Sequence, residues 1–137
     1  MSYLLDTNAC VALINRSSPA SRSRFQHAVR VGELIYVSAV VAFELWYGIA
    51  KSERQILNTE KLEAFLAGPI RLLPLELEDA RAAGSIRATL QAAGTPIGAY
   101  DLLIAGQALA RQLTLVTANV SEFSRVKGLK WQDWAKP

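Results

Sequence analysis

The chain has 137 residues, of which 51% are hydrophobic, so it is long enough to form one domain with a sizeable core. Its formal net charge of +3 is modest support for a polyanionic partner, because many proteins with other roles are as basic. A single cysteine, Cys10, excludes an internal disulfide and cannot build a zinc site alone. The single histidine, His27, stands among basic residues in SRSRFQHAVR, so we discount histidine catalysis. No apolar run reaches the roughly 18 residues of a membrane span and no signal peptide is evident, so a cytoplasmic location is expected.

The predicted elements alternate between strands and helices. Ser18 and Pro19 are typical of the start of a helix, Ser38 can cap the next one, and Gly94 ends another. Predicted strands cover residues 3–6, 34–38, 70–75, 114–117 and 129–131, and predicted helices cover residues 10–15, 19–32, 39–51, 53–67, 76–93 and 99–112. This order indicates a single α/β domain over residues 1–137, with a mostly parallel sheet and helices on both faces. In such sheets the ligand crevice lies beyond the carboxyl ends of the strands.

Three acidic residues stand beside or inside apolar segments that should be buried. Asp6 lies in YLLDTN, Glu44 in VVAFELWYG and Asp101 in IGAYDLLIAG. A buried carboxylate loses hydration that only hydrogen bonds, a cation or a metal can replace. If the fold brings the three together, they predict a site for a hard divalent cation such as Mg²⁺ or Mn²⁺, which prefers carboxylate and water oxygens.

Each acid also has a purely structural interpretation. Asp6 could cap the helix that follows it, and Asp101 would be favoured in a first helical turn by the helix dipole. Glu44 is harder to explain in this way, because it is mid-helix with no basic residue within one turn. Gly48 shares its helix face and would leave the carboxylate room in a cleft.

Three segments together resemble the PIN-domain ribonuclease toxins of VapBC toxin-antitoxin systems: YLLDTNACVALI, SAVVAFELWYG, and IGAYDLLIAGQALARQLTLVTANVSEFSRVKGL followed by a tryptophan. The resemblance runs over nearly the whole chain. It implies an α/β/α sandwich, a Mg²⁺- or Mn²⁺-dependent endoribonuclease, a cognate VapB-like antitoxin and a homodimer. By motif position, the metal-binding acids are Asp6, Glu44 and Asp101. Family members closest to this pattern are associated with cleavage of initiator transfer RNA in the anticodon stem-loop.

One departure from the family pattern concerns a fourth acid, which many PIN domains carry after the TLVT strand. Asn119 holds that place here and supplies a carbonyl oxygen without charge, so a second metal would bind more weakly, or Asn119 would orient a water. Glu122 could reach inward, although its place on a short turn before Phe123 favours solvent. Thr117 resembles the family's small hydroxyl residue near the site, and Thr7 beside Asp6 is a further candidate for supporting the ligands.

Two other functions were weighed. A phospho-acceptor receiver domain would also place acids around Mg²⁺, but it needs paired acids after the first strand and a late lysine, which LLDTN and TLVTAN lack. A PIN domain without catalysis, serving as a binding scaffold, is favoured only by Asn119. The possible phosphate contacts are Arg22, Arg24, Arg30, Arg111, Arg125, Lys127 and Lys130. The residues with aromatic surface available for a partner, or for the core, are Phe43, Trp46, Tyr47, Trp131 and Trp134.

Overall fold

A computed structural model of the chain describes residues 1–136. Its strands are β1 (Ser2–Leu5), β2 (Leu34–Ser38), β3 (Arg71–Leu73), β4 (Thr114–Val116) and β5 (Trp131–Gln132). Its helices are α1 (Thr7–Ile14), α2 (Pro19–Arg30), α3 (Ala39–Ala50), α4 (Gln55–Leu66), α5 (Leu77–Ala92), α6 (Ala99–Arg111) and α7 (Val120–Phe123). The strands form one sheet in the order β3-β2-β1-β4-β5, and every pairing in it is parallel. The predicted α/β class is therefore confirmed, with a sheet that is wholly parallel and flanked by helices.

The strand order reverses at β1. The chain first builds β2 and β3 on one side of β1, and then crosses over to place β4 and β5 on the other. Beyond the carboxyl ends of β1 and β4 the connections diverge, and this is where parallel sheets open a crevice for ligands. A backbone hydrogen bond from Asp6 N to Val116 O (3.1 Å) fixes the two strand ends side by side.

Local sequence signals set most helix starts as expected. The Ser18 hydroxyl accepts from Ser21 N at 3.1 Å with Pro19 in the first turn, and the Ser38 hydroxyl accepts from Val40 N at 3.1 Å. Pro74 follows directly after β3, which is an edge strand, as a proline at that place indicates.

Most boundaries differ from the prediction by one or two residues, and three differences change the surroundings of the crevice. Helix α1 begins at Thr7 because the Asp6 side chain already caps it. Strand β5 lies at Trp131–Gln132 instead of 129–131, because its register is set by Leu115 N donating to Lys130 O and Thr117 N donating to Gln132 O, both at 2.9 Å. The short helix α7 was predicted as a turn. Four residues are too few for a periodic pattern to show.

The helices α5 and α6 pack unusually closely at Gly106. A β-carbon at that position would lie 2.6 Å from the backbone nitrogen of Ala83, so only glycine fits. On the same pair of helices the fully buried carboxylate of Asp79 accepts from Arg111 Nε at 3.0 Å and also caps the start of α5. This packing holds the middle and the C-terminal end of α6 against α5.

None of the helices within residues 1–136 combines the length and the apolar character needed to cross a bilayer.

Candidate active site

Asp6 lies at the carboxyl end of β1 and is 5% exposed. Its Oδ1 accepts from Ala9 N at 2.8 Å, and it is also hydrogen-bonded by the Thr117 hydroxyl. Burial raises its pKa, and the negative charges of Glu44 and Asp133 raise it further against these two hydrogen bonds. Asp6 is thus both a helix cap and a member of an acidic cluster, so the two interpretations of this residue are compatible.

Glu44 is half-buried on α3 and is held by a neighbour of Asp6. The hydroxyl of Thr7 donates to Oε1 of Glu44 at 2.8 Å. This hydrogen bond crosses from the start of α1 to the middle of α3, and it directs the Glu44 carboxylate towards the strand ends. The prediction that Thr7 supports the acids agrees with this contact.

Asp101 occupies the first turn of α6 and is half-buried. Its pKa is raised to about 6, first by loss of hydration and then by a hydrogen bond and negative charge from Glu122. The charges of Glu44 and Asp6 contribute in the same direction. Carboxylates from three other parts of the chain, Asp6, Glu44 and Glu122, therefore lie near Asp101 and contribute to its raised pKa, and the cleft is the space that these four acids surround.

Glu122 could have faced either solvent or the cleft, and it takes the inward position that the sequence favoured less. It is half-buried on α7, shares a hydrogen bond with Asp101, and accepts from Asn119 Nδ2 at 3.0 Å on its Oε2 atom. The Asn119 backbone N–H in turn donates to the Thr117 hydroxyl at 2.9 Å. Asn119 thus holds Glu122, and the carboxylate missing after β4 is supplied three residues later.

Asp133 is an acid near the cleft that sequence reasoning did not find. It follows directly after β5, at the same edge of the sheet as Asp6, and its charge raises the pKa of Asp6. The signal was present, because an acid after a parallel strand is what identified Asp6. It was missed because the strand was expected to end at Trp131.

The donor set fits a hard divalent cation. Within residues 1–136, no three side chains among His, Cys, Asp and Glu stand close enough to hold a metal ion as they are. Mg²⁺ nevertheless takes only one or two carboxylates directly and keeps several waters, so a looser ring of oxygen donors suffices. Loss of hydration on burial and, to a smaller extent, neighbouring carboxylates raise the pKa of Asp6 and of Asp101, and a bound cation would offset both effects.

Several of the candidate phosphate contacts have intramolecular partners. Arg24 donates to Gln132 Oε1 at 3.0 Å and lies over the Trp134 ring, while Arg111 is paired with Asp79. Arg30 contacts His27, which is exposed on α2 as expected, and Arg125 donates to the Pro96 carbonyl. Arg24, Arg111 and Arg125 therefore join separate parts of the fold, whereas the Arg30 contact lies within α2.

Comparison with known proteins agrees with this arrangement. The sequence model of the PIN domain matches residues 3–129. The chain belongs to the PIN-domain family. Within that family it is similar to VapC proteins over its full length, as the residue patterns around Asp6, Glu44 and Asp101 predicted.

Two VapC relatives illustrate the similarity. The tRNA(fMet)-specific endonuclease VapC of Shigella flexneri is 37% identical over 135 residues, which span 98% of this chain and 99% of that protein. Ribonuclease VapC2 of Rickettsia felis is 37% identical over 136 residues, which span 99% of this chain and 100% of that protein.

Solved structures of VapC proteins share the fold. The chain superposes on VapBC2 of Rickettsia felis bound to a promoter DNA fragment with a TM-score of 0.92 and 34% identity, over 98% of this chain and 99% of that one. The DNA-bound VapBC of Salmonella typhimurium gives a TM-score of 0.90 and 35% identity, over 98% of both chains.

Proposed function

We propose that this protein is a Mg²⁺-dependent endoribonuclease, with Mn²⁺ as a possible substitute, that serves as the toxin of a type II toxin-antitoxin system. The observation that supports this most is the convergence of Asp6, Glu44, Asp101 and Glu122 on the crevice at the strand reversal. The ribonuclease names of full-length relatives point to the same class of reaction.

The roles of the side chains follow from their surroundings. Asp6 and Asp101 are the proposed metal ligands, because they follow β1 and begin α6 at the crevice and burial raises the pKa of both carboxyls. Glu44, which Thr7 fixes, is a third ligand or holds the attacking water, and Glu122, which Asn119 fixes, is a further candidate for either role. A bound divalent cation would supply charge stabilisation at the phosphodiester and activation of a water. Thr117 and Asn119 keep the carboxylates in place.

For the substrate we propose a transfer RNA, with the initiator species as the first candidate. The Shigella flexneri relative is named for that specificity, and it aligns with nearly all of this chain. The net charge of +3 is compatible with a polyanionic ligand.

For regulation we propose a VapB-like antitoxin that covers the cleft, as the similar solved complexes pair VapC with VapB. A groove of about 340 Å³ runs between α1, α3 and α4, with Thr7 and Glu44 among its lining residues. Its apolar walls suit an amphipathic segment of such a partner. The groove is lined further by Val11, Ile14, Leu45, Gly48, Ile49 and Leu62.

We also propose a homodimer in the cytoplasm. Three aromatic residues of α3, Phe43, Trp46 and Tyr47, are between 41% and 59% exposed, which leaves apolar surface for an interface. Trp134, by contrast, is 2% exposed and belongs to the core. Analytical ultracentrifugation at micromolar concentration tests the dimer, and a single monomeric species would contradict it.

The experiment for the activity is cleavage of deacylated bulk transfer RNA with Mg²⁺, Mn²⁺ or EDTA, followed by mapping of the fragment ends. Asp6→Asn and Asp101→Asn should abolish discrete, metal-dependent cuts without loss of fold. Glu60→Gln, which neutralises an exposed acid on α4, is the matched control and should cut normally. Full activity in either aspartate variant would refute the site. Metal binding without cleavage of any RNA would favour the scaffold function instead.

A further inference from the structure

Arg125 joins two segments that carry facing carboxylates. Its Nη1 donates to the carbonyl oxygen of Pro96 at 3.0 Å. Pro96 lies in the loop that leads through Gly98 into α6, where Asp101 sits in the first turn. Arg125 itself follows α7, and its backbone N–H donates to the carbonyl of Glu122 at 3.1 Å.

The loop before α6 is held at its start by Thr95 N, which donates to Leu90 O at 2.9 Å, and by Ile97, which is partly buried against the core. Within the described chain, the Arg125 contact is the hydrogen bond that joins residues 96–98 to an element other than α6. On the side facing α5, a cavity of about 120 Å³ lies against Pro96, Ile97 and Ala99, so packing there is incomplete. Arg125 is thus the polar tie between this loop and the segment after α7, and the open side leaves the loop room to shift when that tie is lost.

The segment that carries Arg125 is, by contrast, well anchored. Phe123 and Val126 are 1% and 4% exposed, and Val126 N donates to Phe123 O at 3.1 Å. The guanidinium therefore extends from a fixed base to the loop that leads into α6. Movement of the loop would carry Gly98 and the start of α6 with it.

We propose that Arg125 is a positioning residue: by tying the Pro96 carbonyl to the segment after α7, it sets the separation of Asp101 and Glu122 and thereby the affinity of the cleft for a divalent cation. This inference rests on the proposed function, since it assigns Asp101 and Glu122 to that cleft. It assigns Arg125 no contact with RNA.

The positive charge of Arg125 and its proposed positioning role predict opposite changes in metal affinity when Arg125 is replaced. A cation near the cleft repels a divalent metal, so if charge were its only influence, Arg125→Met would tighten metal binding. If Arg125 holds the two carboxylates at a working distance, the same substitution loosens metal binding. The sign of the change therefore separates the two roles.

The test is calorimetric titration of the RNA-free, full-length protein with Mn²⁺. Arg125→Met should weaken binding by about tenfold, in the range measured for residues that support metal ligands. Arg125→Lys keeps one donor and should give an intermediate affinity, which also preserves the test if the methionine variant folds poorly. Lys127→Met removes a positive charge two positions further along the chain. It should leave the affinity for Mn²⁺ equal to that of the wild type or slightly higher.

A double-mutant cycle with Glu122→Gln identifies the route of the effect. If Arg125 acts through the carboxylate pair, Arg125→Met should weaken Mn²⁺ binding much less in the Glu122→Gln background than in the wild type. Independent, multiplicative losses would overturn the proposal, as would unchanged or tighter binding by Arg125→Met alone. A wild-type protein that binds Mn²⁺ but cuts no RNA would refute the proposed function while leaving this titration readable. RNA cleavage with an unaltered Arg125→Met affinity would refute the positioning role alone.

Discussion

Asn119 donates from its Nδ2 atom to Oε2 of Glu122 at 3.0 Å, so the amide that follows β4 orients a carboxylate instead of replacing one. The cleft therefore keeps four acids around it, drawn from β1, α3, α6 and α7. The affinity of this site for a metal should therefore depend on side chains from both sides of β1, where the strand order reverses.

Replacing Glu122 by Gln should lower the affinity for Mn²⁺ by about 10- to 100-fold, as for other losses around a metal site. The substitution removes a negative charge that faces Asp101 while keeping the shape and the capacity to accept from Asn119. Calorimetric titration measures the change. Ser124→Ala, an exposed change on the same segment, is the control, and equal affinities for both variants would contradict a role for Glu122.

Replacing Thr7 by Val should lower the cleavage rate by about tenfold, because Glu44 loses the hydroxyl that fixes its Oε1 atom at 2.8 Å. Thr7→Ser keeps the hydroxyl and should retain most of the rate. Single-turnover cleavage at saturating Mg²⁺ gives the comparison. If the valine and serine variants were equally slow, the methyl group and not the hydrogen bond would be what matters.

The metal-free protein should lose stability as the pH rises through about 6, because the pKa of Asp101 is raised to about 6 in the folded state. In the unfolded chain an aspartate has a pKa of about 3.9, so between these values the folded protein binds more protons. This contribution to the free energy of unfolding is fully present below the unfolded pKa and is lost above the folded one. Urea unfolding in EDTA at several pH values measures the free energy of unfolding. The same measurement on Asp101→Asn should show a weaker dependence of this free energy on pH.

The affinity for a metal should increase as the pH rises, because the metal competes with the proton on Asp101. We expect Mn²⁺ affinity to rise between about pH 5 and about pH 7 and then to level off. A pH-independent affinity over this interval would show that Asp101 is not a ligand.

Gly106→Ala should destabilise the fold by about 1–3 kcal/mol, as overpacking of a close helix contact does. The added β-carbon would lie 2.6 Å from Ala83 N and 2.7 Å from its β-carbon, so backbone must shift. Gly84→Ala, one position along α5 from Ala83, meets no atom within 4 Å and should stabilise by about 0.5–1 kcal/mol. Chemical denaturation gives the free energy of unfolding of both variants. Equal changes in this free energy for Gly106→Ala and Gly84→Ala would contradict the close approach of α5 and α6.

The sequence predicted most of the fold and part of the site, for different physical reasons. Asp6 and Asp101 were found because they adjoin long apolar elements whose periodicity is strong, and Glu44 because a mid-helix acid without a cation is unusual. The sequence left both an inward and a solvent-facing position open for Glu122, because its place in the cleft depends on α7, a single turn of helix, and on the amide of Asn119. Arg125 was predicted only as a possible phosphate contact, because its partner is a backbone carbonyl 29 positions away, which no local pattern reveals.

The Trp134 side chain packs edge-to-face on Tyr3 of the central strand, with 5.1 Å between the ring centroids. Tyr3 belongs to β1, and Trp134 reaches it only after β5 has paired with β4. Tyr3 and Trp134 are far apart in the chain, so this contact is one of the non-local contacts that form late and slow folding. We therefore expect the central strand to stay partly uncovered until the segment that carries Trp134 has packed onto it.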